Sequence, residues 1–336
     1  MQAYPLTQFG LEYLKLTTLP DPQPGPDQVL VRVHAVSLNF RDLMVTRGHY
    51  NPKMHLPRIL CSDGAGEVVT IGDAVTRVAV GDRVAGIFMQ NWLDGELTAI
   101  KSKGALGGDI DGMLAELAVL RETGVVRIPD YMTYEQAATL PCAALTAWNA
   151  LTVAAQVKAG DTVVIQGTGG VSIFALQFAK LLGARVLGTS SSDDKLRRAY
   201  TLGLDAGLNY QTHPEWAKWV LQQTNGIGAD VVVEVGGAGT LSQSLTAVRP
   251  SGTVAQIGVL SGIEQPLFIP ALLSKQVRLQ GIYVGSRTMF ESMNRALTLH
   301  RLQPIICKTF PLAEAKDAFT YMANGSHFGK VLIALM

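Results

Sequence analysis

Apolar positions along this chain follow two different rhythms, and the change falls near Ile128-Pro129. Before it, short runs alternate. Gln28-Val-Leu-Val-Arg-Val-His34 alternates and is rich in β-branched residues, as a half-buried strand requires. It follows a stiff extended entry, Pro20-Asp-Pro-Gln-Pro-Gly-Pro26. Gly64-Ala-Gly66-Glu-Val-Val-Thr-Ile-Gly72 predicts a second strand, and Val80-Gly-Asp-Arg-Val-Ala-Gly86 a turn feeding a third. Closely spaced strands with Gly and Asp punctuation predict an irregular barrel.

After Ile128-Pro129, strands alternate with helices. The predicted strands are Thr162 to Gln166, Arg185 to Thr189, Gly207 to Asn209, Asp230 to Val235, Gly252 to Ile257 and Val277 to Ile282. Helical stretches such as Asp193 to Leu202 and Pro214 to Thr224 lie between them. Such alternation predicts an α/β unit, a doubly wound parallel sheet of the Rossmann type. A helix near Phe290 to Leu302 and a terminal strand Gly329 to Leu335 follow. The expected division is a first domain over residues 1–126, completed by 285–336, and a second over 127–284.

Composition narrows the partners. The 336 residues are 48% hydrophobic and 16% charged, with a net charge of +1. Nothing in that balance suggests nucleic acid or an anionic membrane as partner. Cys61, Cys142 and Cys307 are far apart and do not read as a disulfide framework. No basic segment with an apolar run opens the sequence, and no stretch reaches about 18 consecutive apolar residues. The expected location is the cytoplasm.

The densest chemical signal is Thr162-Val-Val-Ile-Gln-Gly167-Thr168-Gly169-Gly170-Val171-Ser172, where an apolar strand runs through glycines into a helix. Gly167 permits a tight turn, and Gly169 removes a side chain where backbone must approach a pyrophosphate. The helix N-terminus offers free N–H groups to that anion. Ser172 stands where the usual fingerprint has a third glycine. The loops Glu234-Val235-Gly236-Gly237 and Ile257-Gly258-Val259 follow later strands and are expected at the same ligand-binding edge.

The second strand of the α/β unit ends in Thr189-Ser190-Ser191-Ser192, with no carboxylate at its tip to hold ribose hydroxyls. The hydroxyls and Lys195 can instead take a 2′-phosphate, which favours NADP over NAD. Two alternatives stay open. Ser192 can simply cap the helix that begins at Asp193, leaving Lys195 as a solvated charge. Asp193 or Asp194 can reach a ribose in an NAD enzyme.

Several further patterns carry a family resemblance. They are Val36-Ser-Leu-Asn39-Phe-Arg41-Asp42, Leu60-Cys-Ser-Asp63-Gly64-Ala-Gly66, Gly108-Asp-Ile-Asp-Gly112-Met-Leu-Ala-Glu116 and Ala138-Thr-Leu-Pro141-Cys-Ala-Ala-Leu-Thr146-Ala-Trp148. With the glycine turn, they resemble the medium-chain dehydrogenase/reductase superfamily over nearly the whole chain. The resemblance implies a GroES-like barrel that also receives the C-terminal segment, with an active site in the cleft between the domains. Zinc members carry a cysteine where Asn39 stands and Gly-His-Glu where Cys61-Ser62-Asp63 stands. Only Cys142 matches a ligand position, too few donors for zinc; a small buried residue is its plainer reading. The chain therefore resembles the zinc-independent quinone oxidoreductase and enoyl reductase branches. Gly281-Ile-Tyr-Val-Gly285-Ser-Arg287 adds a similarity to proteins labelled zinc-type alcohol dehydrogenase-like.

The same resemblance implies that Asn39 and Asp42 line the site, that Thr146 sits beside the nicotinamide, and that Tyr50 lies at a mobile aromatic position. It implies that Ser192, Lys195 and Tyr210 bind the NADPH phosphate, and that the edge strand Val277 to Ile282 pairs in a homodimer. Without a metal, hydrogen bonds and a proton donor must stabilise the developing charge. Asn39, Arg41, Asp42, Tyr50, Ser62 and Thr146 are the candidates. Tyr50 can equally cover the barrel, and Arg41 with Asp42 can form a structural ion pair. The expected activity is hydride transfer to a small quinone, a conjugated carbonyl or a carbonyl/alcohol couple. The alternatives are an NAD-dependent alcohol dehydrogenase and a non-catalytic NADPH-binding protein, which fold alone does not exclude.

Overall fold

The computed structural model of the chain describes residues 1–335; Met336, the last residue of the expected first domain, lies outside them. The chain divides into two compact units. The first comprises Met1–Leu145 with the chain from Val284 onward, and the second Thr146–Tyr283. Residues 127–145, placed by the sequence pattern with the second domain, pack in the first unit. The reason is the helix Tyr134–Ala138, which lies on the strands Gln28–Ser37 and Asp63–Ile71.

The first unit is built on a seven-stranded sheet. Its path runs Ile306–Pro311, Lys330–Ala334, Gln28–Ser37, Asp63–Ile71, Arg83–Gly86 and Val125–Arg127, with Leu117–Arg121 also paired to Gln28–Ser37. Among the described residues of this sheet, only Ile306–Pro311 and Lys330–Ala334 pair in parallel. Val31, Val33, Val68, Leu114, Phe319 and Ile333 fill its core. The pairing of the two longest strands requires glycine at one place: a Cβ on Gly66 would stand 2.0 Å from the Arg32 carbonyl oxygen. The last strand joins antiparallel to Gln28–Ser37, with Leu332 opposite Ser37. The C-terminus thus completes the sheet begun by the N-terminal segment.

The second unit carries a six-stranded parallel sheet in the order Ala206–Asn209, Arg185–Ser190, Thr162–Gln166, Ala229–Glu234, Val248–Gln256 and Arg278–Gly281. All six predicted strands are present, each within a few residues of its expected bounds. The register places Leu187, Val164, Val232 and Val254 side by side. That row is buried in one cluster with Val220 and Leu245, which explains why these strands read as continuous apolar runs. The winding reverses between Thr162–Gln166 and Ala229–Glu234, so the ligand crevice belongs at their carboxyl ends.

Tyr131 anchors the long C-terminal helix of the first unit, Arg287–His300. Its hydroxyl meets the Leu297 and Leu302 carbonyl oxygens at 2.9 and 2.7 Å. Burial pushes its pKa up to about 12, against the opposing charge of Arg301. Because the folded value is the higher one, this contribution to stability is full below pH 10 and fades as pH rises towards 12. Tyr131→Phe should lower stability at pH 8 by about 0.5–1.5 kcal/mol, the net size of one partly buried hydrogen bond. In urea titrations the gap between wild type and variant should shrink above pH 10; a gap that widens there contradicts the assignment.

Candidate functional site

The glycine turn lies at the carboxyl end of the first strand of the parallel sheet. Gly167 has φ +68°, a left-handed conformation, and a Cβ placed there would meet nothing within 4 Å. The helix Gly170–Leu181 begins after Gly169, which offers no side chain to its first-turn N–H groups. Thr168, Gly170 and Val171 flank that open end. Ser172 is buried, and its hydroxyl donates to the Gln166 carbonyl oxygen at 2.6 Å. The serine therefore keeps helix and strand close, as a third glycine would. A turn with open space at Gly167 and a helix N-terminus without a side-chain cap fit a pyrophosphate, so these residues suit a dinucleotide.

At the tip of the second strand the hydroxyl groups form a ladder. Ser192 N–H donates to Ser190 Oγ at 3.2 Å, and Lys195 N–H donates to Ser192 Oγ at 3.4 Å. Ser192 thus does cap the helix Asp193–Thr201. Tyr210 N–H donates to the Ser190 carbonyl oxygen at 3.0 Å, which brings Ser190, Ser191, Ser192, Lys195 and Tyr210 to one end of the sheet. Asp193 accepts from Asn209 Nδ2 at 3.0 Å, and Asp194 is paired with Arg197.

The loops after the fourth and fifth strands are tied together by two residues whose role the sequence did not reveal. Glu234 is fully buried and accepts from the N–H groups of Gly236 and Gly237 at 2.7 and 2.9 Å, and from the hydroxyls of Thr240 and Ser244. Gln166 donates to Glu234 at 2.7 Å, while its own Oε1 accepts from Val235 and Gly236 N–H. Gly258 lies so close that a Cβ would stand 2.1 Å from the Val235 carbonyl oxygen. Ser261 hydroxyl donates to the Gly236 carbonyl oxygen at 2.8 Å. Val235, Gly236, Gly258 and Val259 are therefore held as a single rim.

The first unit holds a buried polar nest. Asn39 precedes the helix Phe40–Thr46, and its N–H donates to Asp42 Oδ2 at 2.8 Å. Arg41 pairs with Asp42 at 3.2 Å and donates to the carbonyl oxygens of Leu106 and Gly107. Its guanidinium lies over the rings of Tyr50 and Phe88, 4.8 and 5.1 Å from their centres. Arg41 and Asp42 form the ion pair that was one of their two readings, and half-buried Tyr50 packs on the same core. Asp63 accepts from Ser62 hydroxyl at 2.6 Å and from Cys142 N–H at 3.0 Å. Thr146 is buried in the second unit, in the helical turn Leu145–Trp148 between two wider π-helical segments.

Lys330 completes the nest, and nothing local in the sequence marked it. It is 3% exposed, and its Nζ donates to the Leu38 carbonyl oxygen and to Asn39 Oδ1, both at 2.6 Å. An ammonium only donates, so the atom it meets must be the amide oxygen, and Nδ2 points elsewhere. Nδ2 is buried and faces the Asp63 carboxylate, whose charge it favours, but it meets no acceptor in full hydrogen-bond geometry among the described residues.

Burial raises the Asp42 pKa against the charge of Arg41, and raises that of Asp63 against the charge of Lys330. Burial also pushes the Cys61 and Cys142 thiols well up, which keeps them neutral. Two neutral thiols, two engaged carboxylates and two cations are a poor donor set for zinc. Among the described residues, no three His, Cys, Asp or Glu side chains are grouped to hold a metal ion.

Comparison with known proteins agrees with the fold. A family model described as alcohol dehydrogenase GroES-like domain matches residues 25–130, and one described as zinc-binding dehydrogenase matches residues 170–298. The chain is 41% identical over 333 residues to a zinc-type alcohol dehydrogenase-like protein of Schizosaccharomyces pombe, covering 97% of this chain and 96% of that one. It is 37% identical over 309 residues to a quinone oxidoreductase of Pseudomonas aeruginosa, covering 92% and 86%. A crystal structure described as an NAD-dependent alcohol dehydrogenase superposes with a TM-score of 0.92 at 34% identity, covering 100% of both chains.

Proposed function

The chain belongs to the medium-chain dehydrogenase/reductase superfamily, and from that premise we propose that it is a zinc-independent, NADPH-dependent reductase of quinones or conjugated carbonyl compounds. That it is an oxidoreductase with a nucleotide-binding fold follows from the family. The observation that carries the finer reading is the Asn39 carboxamide. It is buried, its oxygen is taken by Lys330, and of its two N–H groups one faces Asp63 while the other is left to donate to a substrate oxygen.

When bound, the reduced nicotinamide supplies the hydride. The chain's own part is to hold the oxygen that takes up charge. Asn39 Nδ2 donates to that oxygen, and Asp42 fixes the Asn39 backbone. Tyr50 is assigned as the proton donor, since a phenol can both donate and be resupplied by water. Thr146 is assigned to the nicotinamide end of the cofactor. The pyrophosphate is assigned to Gly167, Thr168, Gly169, Gly170 and Val171, and the nicotinamide ribose side to the rim of Val235, Gly236, Gly258 and Val259.

Preference for NADPH rests on Ser190, Ser191, Ser192, Lys195 and Tyr210. The two carboxylates that could serve an NAD ribose, Asp193 and Asp194, are already engaged by Asn209 and Arg197. We also place the protein in a reducing cytoplasm, which suits its three free cysteines. No helix among the described residues is long and apolar enough to cross a membrane. A homodimer is proposed through the strand Arg278–Gly281, an exposed edge flanked by exposed Phe268, Ile269 and Leu273.

Three outcomes test this reading. Asn39→Ala should lower kcat for NADPH oxidation by a 1,4-naphthoquinone about 100- to 1000-fold, the cost of losing one oxyanion donor. NADPH binding, followed by fluorescence, should persist; unchanged kcat rejects the assignment. Lys195→Ala should weaken NADPH by about 1–3 kcal/mol, the range for a charge-assisted bond, and leave NADH nearly unchanged. Equal losses for both cofactors reject the phosphate site. Light scattering at micromolar concentration should give a dimer mass, and a monomer argues against the edge-strand pairing.

A further inference from the structure

We propose that Lys330 is the positioning residue of the reaction centre: its ammonium orients and polarises the Asn39 carboxamide, so that the positive charge reaches the reacting oxygen through an amide rather than a metal ion. The inference rests on the assignment of Asn39 made above and adds to it the source of the charge.

Three observations converge on Lys330. First, its burial is nearly complete, yet both of its hydrogen bonds go to neutral oxygens, Leu38 O and Asn39 Oδ1. Burying an ammonium is costly unless charge and hydrogen bonds compensate it. Asp63 and Asp42 compensate it at longer range, since its charge opposes the rise in both of their pKa values. The close contact is left to the amide.

Second, the lysine cannot easily move. Lys330 N–H donates to the Ile305 carbonyl oxygen at 2.9 Å, and Leu38 N–H donates to the Val331 carbonyl oxygen at 3.0 Å. Gly329 has φ +81°, and a Cβ there would stand 2.3 Å from the Ile305 carbonyl oxygen. The strand therefore enters the sheet at a point only glycine permits, immediately before the lysine.

Third, the other cation of the nest is directed elsewhere. Arg41 Nη1 serves Asp42, Leu106 O and Gly107 O, and its plane stacks on Tyr50 and Phe88. Lys330 is thus the cation whose field falls on Asn39.

The physical effect is cooperative. A hydrogen bond to an ionised donor is roughly twice as strong as a neutral one. Drawing electron density toward Oδ1 makes the Nδ2–H groups better donors, as in any chain of polarising hydrogen bonds. It also fixes which end of the carboxamide faces the substrate. Removing the ammonium releases the amide to flip, and a flipped amide would present an oxygen to the carbonyl oxygen of the substrate.

The test uses the full chain with NADPH and a 1,4-naphthoquinone. Lys330→Met should lower kcat about 10- to 100-fold while KM changes little, because the lost interaction belongs to the transition state. Lys330→Arg should recover part of the loss. On an Asn39→Ala background, Lys330→Met should cost almost nothing more, since both act through one group. A full additional loss on that background, or a raised KM with unchanged kcat, overturns the inference. Should Lys330→Met fail to fold, Lys330→Gln and Lys330→Arg take its place. An independent readout is the Asn39 side-chain amide signal in protein labelled with 15N-asparagine, assigned by its disappearance in Asn39→Ala. It should shift in Lys330→Gln, and an unmoved signal overturns the contact. If Asn39→Ala keeps full kcat, the functional reading itself falls; if Asn39 matters but Lys330 does not, only this inference falls. One zinc per chain, lost together with activity on chelation, overturns both.

Discussion

Four ionisable side chains, Arg41, Asp42, Asp63 and Lys330, are buried together in the first unit, and none of them is tolerable there alone. Their compensation dictates much of that unit. Asp42 needs the Asn39 N–H and the Arg41 guanidinium, so the helix must begin where it does. Asp63 needs Ser62 and the Cys142 N–H, which draws the wide helical segment Leu140–Ala144 against the strand. Lys330 needs the Leu38 and Asn39 oxygens, which brings the last strand back to the first helix. A hydrophobic core alone would accept the C-terminal segment in several places. The buried lysine leaves one.

The second unit solves a different problem with neutral chemistry around one carboxylate. Strand ends in a parallel sheet carry unpaired backbone groups exactly where a ligand binds. Glu234 and Gln166 take up the N–H groups of Val235, Gly236 and Gly237, and so hold the rim without sealing it. The first-turn N–H groups of Gly170–Leu181 are left without a capping side chain. One edge of the crevice is thus tied down by the protein and the other is left for an anion.

What could be read from the sequence was local in origin. The glycine turn, the alternating strand Gln28–Ser37 and the six strands of the parallel sheet each carry their pattern within a few residues. Asn39 and Asp42 were legible because their Asn-x-x-Asp pattern resembles the zinc-independent branches, and the structure joins the two across one helical turn. Lys330 was not, because the contact that gives it meaning spans 291 positions. A lysine after glycine at the head of an apolar strand looks like any charged strand end. Glu234 was visible only as part of a glycine pattern, since its partner Gln166 lies 68 positions away. The assignment of residues 127–145 followed the change in pattern at Ile128-Pro129, whereas packing of the helix Tyr134–Ala138 on the older strands sets the observed division.

In the proposed reaction an ammonium takes the place of a metal, and that has a chemical consequence. A zinc ion takes the substrate oxygen as a ligand and polarises it directly. Lys330 already spends its bonds on Leu38 and Asn39, so in the proposed reaction its charge reaches the oxygen only through an amide. That is a weaker pull. An isolated ketone needs strong polarisation before its carbon accepts a hydride, whereas a quinone or a conjugated carbonyl is electron-poor from the start and spreads the incoming charge over several atoms. Hydrogen-bond donors suffice to hold such a spread charge. The same feature that makes zinc a poor fit for the nest therefore also favours the proposed substrate class over simple alcohols and ketones.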